Sequence, residues 1–459
     1  MPPAPVATPP PAQLPPPRPV QSPAAAPVVL AVQEQPSALQ TVAFWVLCAY
    51  LVSGILNDWM LRLVGIKGYV SVVTLILLPC VWLLSGAALR GFRTSIGIWW
   101  ALFAVFLIVD VPFSIWRGGS FDLLINYIPR SYLQMFFVAS LSYSLMKCRQ
   151  IMYVNAIVSF MALLACAAFG SYSSDGRYMV QGGAGFFANS NELAMQLLMG
   201  ITQFVYVFSQ KSVIGKFIAA AGIAGSIPYI LSTGSRGCTL AAIAYAGLLV
   251  YTSRKRVLAL IGVGMLALIG LVFASSGALQ RVVLLFGDDS DSAADQSRIS
   301  RIELLTRSLT ATVTHPITGV GPGQFPVYIS ERAKEKGEWA QWLGTHNAYT
   351  QVSSECGIPA FICYFAVNIL CVTVNFRLWR FYRDRAGGSG YASLSLALLS
   401  GTLVYSVCSF FFHMAYTGAL PLLAGQTVAL YLAAKEFGAP AVSNWPDFRY
   451  LLSRTQQPR

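Results

Sequence analysis

The sequence has few charged residues and few histidines for its length. Of 459 residues, 11% are charged and three are histidine, while 56% are hydrophobic. Soluble domains carry about a quarter charged residues, so this chain cannot cover a water-facing surface. The alternating polar and apolar pattern of membrane β-barrels is missing as well. We therefore predict an all-α polytopic membrane protein.

Paired cysteines and clustered metal ligands are also lacking. No two of the nine cysteines have C-x-x-C spacing, and most lie in apolar stretches. This is the pattern of small buried hydrophobic residues rather than of a zinc or redox site. We expect no disulfide, and the sequence contains no recognisable site for a metal or another cofactor.

The first residues differ in composition from the rest. Residues 1–36 contain 13 of the 25 prolines. Such a segment can form polyproline II but has no packed core, so we predict a disordered cytoplasmic tail over residues 1–40. A scaffold protein that docks partners through this tail is a less favoured alternative.

Apolar stretches long enough to cross a bilayer recur from residue 41 onward, and we predict about twelve transmembrane helices. The expected spans lie near 42–62, 69–89, 97–114, 123–146, 151–170, 189–209, 213–231, 237–251, 257–275, 357–376, 391–412 and 416–434. In terms of organisation, nine spans occupy 41–275, a long loop 276–356, three spans 357–435 and a cytoplasmic C-terminal tail 436–459.

The distribution of basic residues predicts the orientation of these spans. With a cytoplasmic N-terminus, the inner loops carry thirteen Lys and Arg residues, and the short outer loops carry five. This asymmetry follows the positive-inside rule and predicts that both termini are cytoplasmic. The net charge of +13 is then explained by orientation and by contact with anionic membrane lipids, so nucleic-acid binding is not expected.

The long loop lies on the external face in this topology. It contains a predicted amphipathic helix over 297–313, which His315-Pro316 should end. We expect this helix to lie on the membrane surface or across the mouth of the bundle. Its apolar side chains form one stripe, made up of Ile302, Leu305, Leu309 and Val313.

Three external stretches carry residues suited to anion binding or proton transfer. In the first, S-T-G-S-R-G-C at 232–238, small residues flank Arg236 just before a helix. A guanidinium offers a planar fork of donors to phosphate, and a helix N-terminus adds a favourable dipole. The alternative for this stretch is a tight turn whose arginine extends to the lipid interface.

The second stretch is the basic helix of the long loop together with the glycine-rich run that follows it. Arg298 and Arg301 share a helical face, whereas Arg307 should pair with Glu303. A loop containing Gly319, Gly321 and Gly323 can approach a substrate without side-chain obstruction. The alternative is a basic helix that contacts lipid head groups.

The third stretch begins where the long loop re-enters the membrane. His346 and Asn347 lie at the start of a predicted helix, and histidine is the side chain best suited to exchange a proton near neutral pH. A capped surface histidine is the alternative. Arg130, inside the fourth span, and Arg177, before the sixth, are further external cations of lower priority.

Taken together, these positions suggest a reaction. Arg236, Arg301 and His346 are far apart in sequence yet fall on the same predicted face. Two phosphate-binding forks and one potential base could transfer a group from a diphosphate carrier: the arginines would neutralise the leaving diphosphate, and the histidine would accept a proton from an attacking hydroxyl.

These stretches resemble the O-antigen ligase superfamily of membrane enzymes. The resemblance rests on S-T-G-S-R-G-C at 232–238, H-P-I-T-G-V-G-P-G-Q-F at 315–325, H-N-A-Y-T-Q-V-S-S-E-C-G-I-P at 346–359 and, more weakly, G-F-F-A-N-S-N-E-L-A at 185–194. It spans roughly residues 185–365.

The resemblance implies a twelve-helix inner-membrane enzyme of the glycosyltransferase-C type that works without a metal ion. Such an enzyme transfers a glycan from undecaprenyl diphosphate at the periplasmic face. By analogy, His346 is the general base, Arg236 and Arg301 bind the diphosphate, and residues 276–356 are the periplasmic loop.

The shared motifs do not identify the acceptor. Lipid A core as acceptor makes a ligase, which we prefer; a second lipid-linked glycan makes a polymerase, and a protein side chain makes a protein O-oligosaccharyltransferase. A transporter or flippase for lipid-linked glycan is the alternative of a different class, although such proteins keep charges near the bilayer midplane. Sugar specificity and oligomeric state are not encoded in any motif.

Overall fold

The computed structural model is a helical bundle, and it describes residues 37–65, 69–173, 176–180, 189–273, 293–337, 339 and 342–437. Most of the predicted terminal tails and residues 276–292 of the long loop lie outside the described residues. The α-helices in chain order are α1 Ala38–Val64, α2 Val70–Leu84, α3 Ser95–Asp110, α4 Arg117–Tyr127, α5 Gln134–Leu141, α6 Leu145–Phe169, α7 Ser190–Phe208, α8 Val213–Ser232, α9 Arg236–Thr252, α10 Arg256–Phe273, α11 Ala293–Thr314, α12 Phe325–Glu335, α13 Ala348–Tyr382, α14 Ser389–Cys408 and α15 Ala419–Phe437.

Shorter elements connect some of these helices. Short 3₁₀ turns cover Ala88–Arg93 and Val111–Phe113, and a π-helical turn covers Ile128–Tyr132. Two three-residue strands, β1 Gly170–Tyr172 and β2 Tyr178–Val180, pair in an antiparallel hairpin.

The helices have the length and composition of membrane-spanning elements. Within the described residues, six are long and apolar enough to cross a bilayer. The six segments are Ala38–Val64, Ser95–Phe113, Leu145–Phe169, Val213–Ser232, Ala348–Tyr382 and Ser389–Cys408. The chain is thus a mostly helical, multi-pass membrane protein, whereas the count of twelve spans stays a prediction.

The span expected near 123–146 is not one regular α-helix. The chain there forms α4, the π-helical turn and α5 in succession. Pro129 lies in the break, where its ring removes a backbone donor from the helical ladder. Trp100 Nε1 donates to the carbonyl of Tyr132, and Tyr132 Oη donates to the carbonyl of Trp100, so α3 holds the break in place.

Helix α13 is bent where the long loop meets it. Gly357 has φ 74° and ψ 176°, a conformation that is essentially restricted to glycine, and Pro359 follows. In a regular helix the carbonyls of Ser354 and Glu355 would accept from residues 358 and 359, and proline has no N–H to donate. The bend therefore leaves backbone groups that need other partners.

The glycine-rich loop supplies those partners. The N–H of Val320 donates to the carbonyl of Ser354 at 2.9 Å, and the N–H of Gly321 donates to the carbonyl of Glu355 at 2.8 Å. In return, the N–H of Ile358 donates to the carbonyl of Pro316 at 2.8 Å. These three bonds, which we call the loop–helix junction, join the end of α11 to the bend in α13.

Helix α11 ends at Thr314, immediately before His315-Pro316, as predicted. Its buried face comprises Leu304, Ser308, Ala311 and Thr312. Leu304 and Ala311 cluster with Val320 and with apolar residues of α12, and Thr312 Oγ1 lies 2.8 Å from Ser353 Oγ of α13. The predicted apolar stripe faces outward instead, with Val313 78% exposed. Helix α11 thus packs through Leu304 and small or polar residues and leaves Ile302, Leu305, Leu309 and Val313 on the outer surface.

Replacing Gly357 with alanine should destabilise the fold. A β-carbon there would overlap the carbonyl of Ile317, and the backbone conformation itself costs about 1–3 kcal/mol for a non-glycine residue. We expect a lower midpoint of thermal unfolding in detergent. Gly247→Ala in α9 is the matched control, because its β-carbon meets nothing within 4 Å. Equal midpoints for the two variants would show that the junction does not contribute to stability.

Candidate functional site

The candidate site is built around His346, at the entrance to α13. Asn347 caps the helix, and its side chain accepts hydrogen bonds from the backbone N–H groups of Tyr349 and Thr350. His346 has φ 51°, the sole positive value at a non-glycine residue in the part of the chain that the structure describes. A non-glycine residue in this conformation stores strain, which is often found at functional sites.

A second histidine lies beside His346. The rings of His346 and His413 meet edge to face, with centroids 5.2 Å apart. His413 is on the loop between α14 and α15, and the N–H of Ala348 donates to the carbonyl of Ser409 at 2.7 Å, which fixes the end of α14 against the start of α13. The pKa of His413 is lowered by burial.

The environment of His346 keeps its imidazole neutral. Its pKa is lowered to about 4, first by burial and then by the nearby His413, Arg301 and Arg177. At neutral pH the ring therefore carries one proton and has one nitrogen free to accept another. It has the protonation state of a general base.

Three arginines lie in the electrostatic environment of His346. Burial lowers the pKa of Arg301, and the charges of Arg177 and Arg236 add to this effect. Because Arg301 and Arg177 also act on His346, these groups share one electrostatic environment. We call Arg177, Arg236, Arg301, His346 and His413 the Arg–His cluster.

Different local structures present the arginines. Arg236 is the first residue of α9, and Gly234 turns the chain before it with φ 63°. Gly237 packs against Phe411, whose Cβ would lie 2.7 Å from an added β-carbon, so α9 approaches the loop that carries His413. Arg177 precedes β2 in the hairpin, where its carbonyl accepts from the N–H of Ser173 at 2.8 Å.

The cluster has the electrostatics of an anion site. The positive charges of Arg177 and Arg236 lower the pKa of Arg301, and an anion placed among these like charges would relieve their repulsion. The N-terminus of α9 adds the partial positive charge of unpaired backbone N–H groups beside Arg236. A diphosphate, with several acceptor oxygens, matches this set of donors.

The remaining predicted residues lie elsewhere or are only partly described. Arg130 is exposed in the π-helical turn, and it is not among the groups that shift the pKa of Arg301 or His346. Arg298 lies in α11, but its side chain is outside the described residues. Arg307 pairs with Glu303 at 2.6 Å, as the spacing predicts. The structure thus gathers Arg177, Arg236 and Arg301 and leaves Arg130 apart.

The glycine-rich loop positions the cluster. Gly319, Gly321 and Gly323 all have positive φ, at 63°, 109° and 75°. The N–H of Gly323 donates to Glu355 Oε2 at 2.9 Å, and Glu355 is 2% exposed. This carboxylate therefore ties the glycine-rich loop to α13.

Sequence reasoning missed two residues of this region. His413 contacts the ring of His346, and its position as one of three histidines at the predicted outer end of a span is the signal that could have identified it. Glu355 binds the glycine-rich loop, and no spacing within its own segment indicates that contact. As for metals, no group of three or more His, Cys, Asp or Glu side chains within the described residues could hold an ion.

Comparison with known proteins supports the family predicted from the motifs. Residues 218–365 match the family model described as O-antigen ligase. This range contains Arg236, Arg301 and His346, whereas Arg177 and the 185–194 segment lie before it. No curated protein matches the chain. The resemblance is confirmed: the chain is a multi-pass membrane protein in which residues 218–365 match the O-antigen ligase family model.

The pKa of His346 should respond to Arg301 and not to Arg307. Removing the nearby positive charge in Arg301→Gln favours the protonated imidazole, so the pKa should rise from about 4. Arg307→Gln is the matched control, because it removes a cation from the same helix that pairs with Glu303. With three histidines, ¹⁵N-histidine NMR of the detergent-solubilised protein can follow the titration. Identical titrations in both variants would place Arg301 outside the environment of His346.

Proposed function

We propose that the protein is a glycosyltransferase that moves a glycan from undecaprenyl diphosphate to an acceptor hydroxyl at the periplasmic face of the inner membrane. The preferred reaction is ligation of O-antigen to lipid A core. The observation that carries this proposal is the Arg–His cluster, in which three guanidinium groups share one environment with a neutral imidazole.

In this proposal the arginines bind the diphosphate of the donor. Arg236 and Arg301 are the main ligands, and Arg177 completes the cation set. Arg298 precedes Arg301 by about one helical turn and is a further candidate for the same face. The reaction leaves undecaprenyl diphosphate with an additional negative charge, and preorganised guanidinium groups stabilise that charge as it develops.

His346 then acts as the base. The oxygen of the acceptor hydroxyl attacks the anomeric carbon of the donor sugar, and the bond from that carbon to the phosphate oxygen breaks. The bonding electrons leave with undecaprenyl diphosphate, and the hydroxyl proton passes to His346. Asn347 and the glycine-rich loop hold the backbone of the site, and the reaction as proposed uses no metal ion.

The proposed topology places this chemistry outside the cytoplasm. Twelve spans with both termini in the cytoplasm put the segments bearing Arg177, Arg236, Arg301 and His346 on the periplasmic side. The six apolar helices and the basic residues of the opposite loops support this orientation. Membrane lipids surround the bundle, and the donor reaches the site from the outer leaflet.

Three related reactions differ in their acceptor. A polymerase would use a second lipid-linked glycan, and a protein O-oligosaccharyltransferase would use a side-chain hydroxyl. Both use the same donor chemistry, so the cluster serves all three. We prefer the ligase reaction, and the assay below distinguishes it from the other two.

Replacing His346 with glutamine should reduce glycan transfer by about 10²–10⁴-fold, the usual contribution of a general base. The assay mixes purified protein with undecaprenyl-diphosphate-linked glycan and either lipopolysaccharide core or a second lipid-linked glycan. The acceptor that is elongated identifies ligase or polymerase, and a chelator should leave the rate unchanged.

His315→Gln is the matched control for this experiment. His315 closes α11 with its Nδ1 2.9 Å from Thr314 Oγ1, and it lies outside the Arg–His cluster. This variant should transfer glycan at nearly the normal rate. A folded His346→Gln protein with full activity would remove the base from the mechanism.

Arg301→Gln should raise the KM for the donor more than that for the acceptor. It removes a charge-assisted contact to the diphosphate, which is typically worth about 1.5–3 kcal/mol or roughly 10- to 100-fold. Arg307→Gln should change neither KM. Initial rates measured over both substrate concentrations separate the two effects, and an increase confined to the acceptor would contradict the assigned role.

A further inference from the structure

A small cavity lies between α11 and α12, outside the Arg–His cluster. It measures about 200 Å³. Ligand pockets usually begin at roughly 300 Å³, so this one fits a single small chemical group. Its polar lining consists of Thr306, Arg307 and Thr310 from α11 and of Tyr328, Arg332 and Lys336 from α12. Three of these six side chains are cationic, and none of the described residues in the lining is acidic.

The cations are the donors of this cavity. Arg307 donates to Glu303 through one guanidinium nitrogen at 2.6 Å, and its planar fork has further N–H groups. The guanidinium carbon of Arg332 lies 5.2 Å from the centroid of the Tyr328 ring, which holds this side chain against the wall. The lining therefore favours an anion with several acceptor oxygens, such as a phosphate group.

The two threonines of the lining do not compete for that role. The hydroxyl of Thr306 donates to the carbonyl of Ile302 at 2.9 Å, and the hydroxyl of Thr310 donates to the carbonyl of Thr306 at 2.9 Å. Both hydroxyl hydrogens are thus used within α11. The threonines form the edge of the cavity, and the basic residues supply its charge.

The exposed apolar stripe of α11 borders this threonine edge. Residues three apart are neighbours on a helix, so Leu309 lies beside Thr306 and Val313 lies beside Thr310. A cationic cavity next to an exposed apolar strip matches the two parts of a phospholipid, the phosphate head group and the acyl chains.

The lipid-facing surface of α13 leads to the stripe. Exposed apolar residues repeat along one face of this membrane-spanning helix, namely Ile358, Ile362, Phe365 and Ile369. The N–H of Ile358 donates to the carbonyl of Pro316, and the exposed Ile317 follows that proline. The apolar surface that contacts acyl chains on α13 is therefore continuous with the outer surface of α11.

Two exposed tryptophans follow α12. Trp339 and Trp342 come three and six residues after Lys336 of the cavity, and both are exposed. Tryptophan is enriched at the boundary between acyl chains and head groups. The cavity and these indole rings thus belong to one short segment with the composition of a membrane interface.

We propose that this cavity binds the phosphate of an anionic phospholipid whose acyl chains lie along the apolar stripe, in the leaflet on the side of the Arg–His cluster. Arg307, Arg332 and Lys336 are the phosphate ligands. The lipid is bound and not consumed, because no residue of the Arg–His cluster lines the cavity. The inference does not depend on glycan transfer.

Photo-cross-linking from the stripe tests contact with lipid. Val313→benzoylphenylalanine introduces a group that inserts into nearby C–H bonds, in full-length protein held in nanodiscs of phosphatidylcholine and phosphatidylglycerol. We expect lipid adducts at this position by mass spectrometry. Thr314→benzoylphenylalanine is the matched control, because residue 314 is also exposed but turned about 100° away around the helix. No adduct at position 313, or equal yields at both positions, would contradict the docking surface.

The composition of the adducts at position 313 tests the head-group site. The ratio of phosphatidylglycerol to phosphatidylcholine adducts should exceed that of the bilayer by about fivefold or more, since each basic residue near the lipid contributes about that factor. Adding Lys336→Gln should lower the ratio about fivefold. Lys334→Gln should leave it unchanged, because Lys334 is an exposed lysine of α12 outside the cavity lining. Equal losses in both variants, or no enrichment without them, would overturn the site.

Soluble salts distinguish a lipid head group from free phosphate. Sodium phosphate and sodium chloride at equal ionic strength should lower the enrichment equally, because both screen the charges. A loss confined to sodium phosphate would assign the cavity to a soluble anion and overturn the phospholipid as its ligand.

Discussion

Three backbone hydrogen bonds at the loop–helix junction hold the candidate site together. The bend at Gly357 leaves carbonyl groups of α13 unpaired by its own helix, and the N–H groups of Val320 and Gly321 bind them. Buried backbone groups in an apolar bundle must find such partners, because no water can replace them. The junction therefore fixes the end of α11 relative to α13, and with it the two elements that carry Arg301 and His346.

The groups that this junction brings together differ in charge: the arginines are cationic and the imidazole of His346 is neutral. Burial and the charges of Arg177 and Arg236 lower the pKa of Arg301, while burial and nearby positive charges keep His346 neutral. A neutral base beside an anion site is the combination that transfer from a diphosphate carrier requires, since one group accepts a proton where others receive negative charge.

Much of this arrangement could be predicted from sequence, because the signals are local or topological. Hydropathy located the helices, His315-Pro316 marked the end of α11, and the alternation of spans put Arg236, Arg301 and His346 on one face. The division of the fourth span could not be predicted, because the apolar run continues through Pro129 and tertiary contacts from Trp100 stabilise the break. The roles of Glu355 and His413 depend on how distant segments pack, which no spacing within one segment records.

The central claim is that the diphosphate of the donor binds among Arg177, Arg236 and Arg301. An electron cryomicroscopy map of the full-length protein with undecaprenyl diphosphate tests it most directly. The account predicts phosphate density in contact with these three guanidinium groups and next to His346. Phosphate density at Arg130 or on the opposite face of the membrane would contradict it.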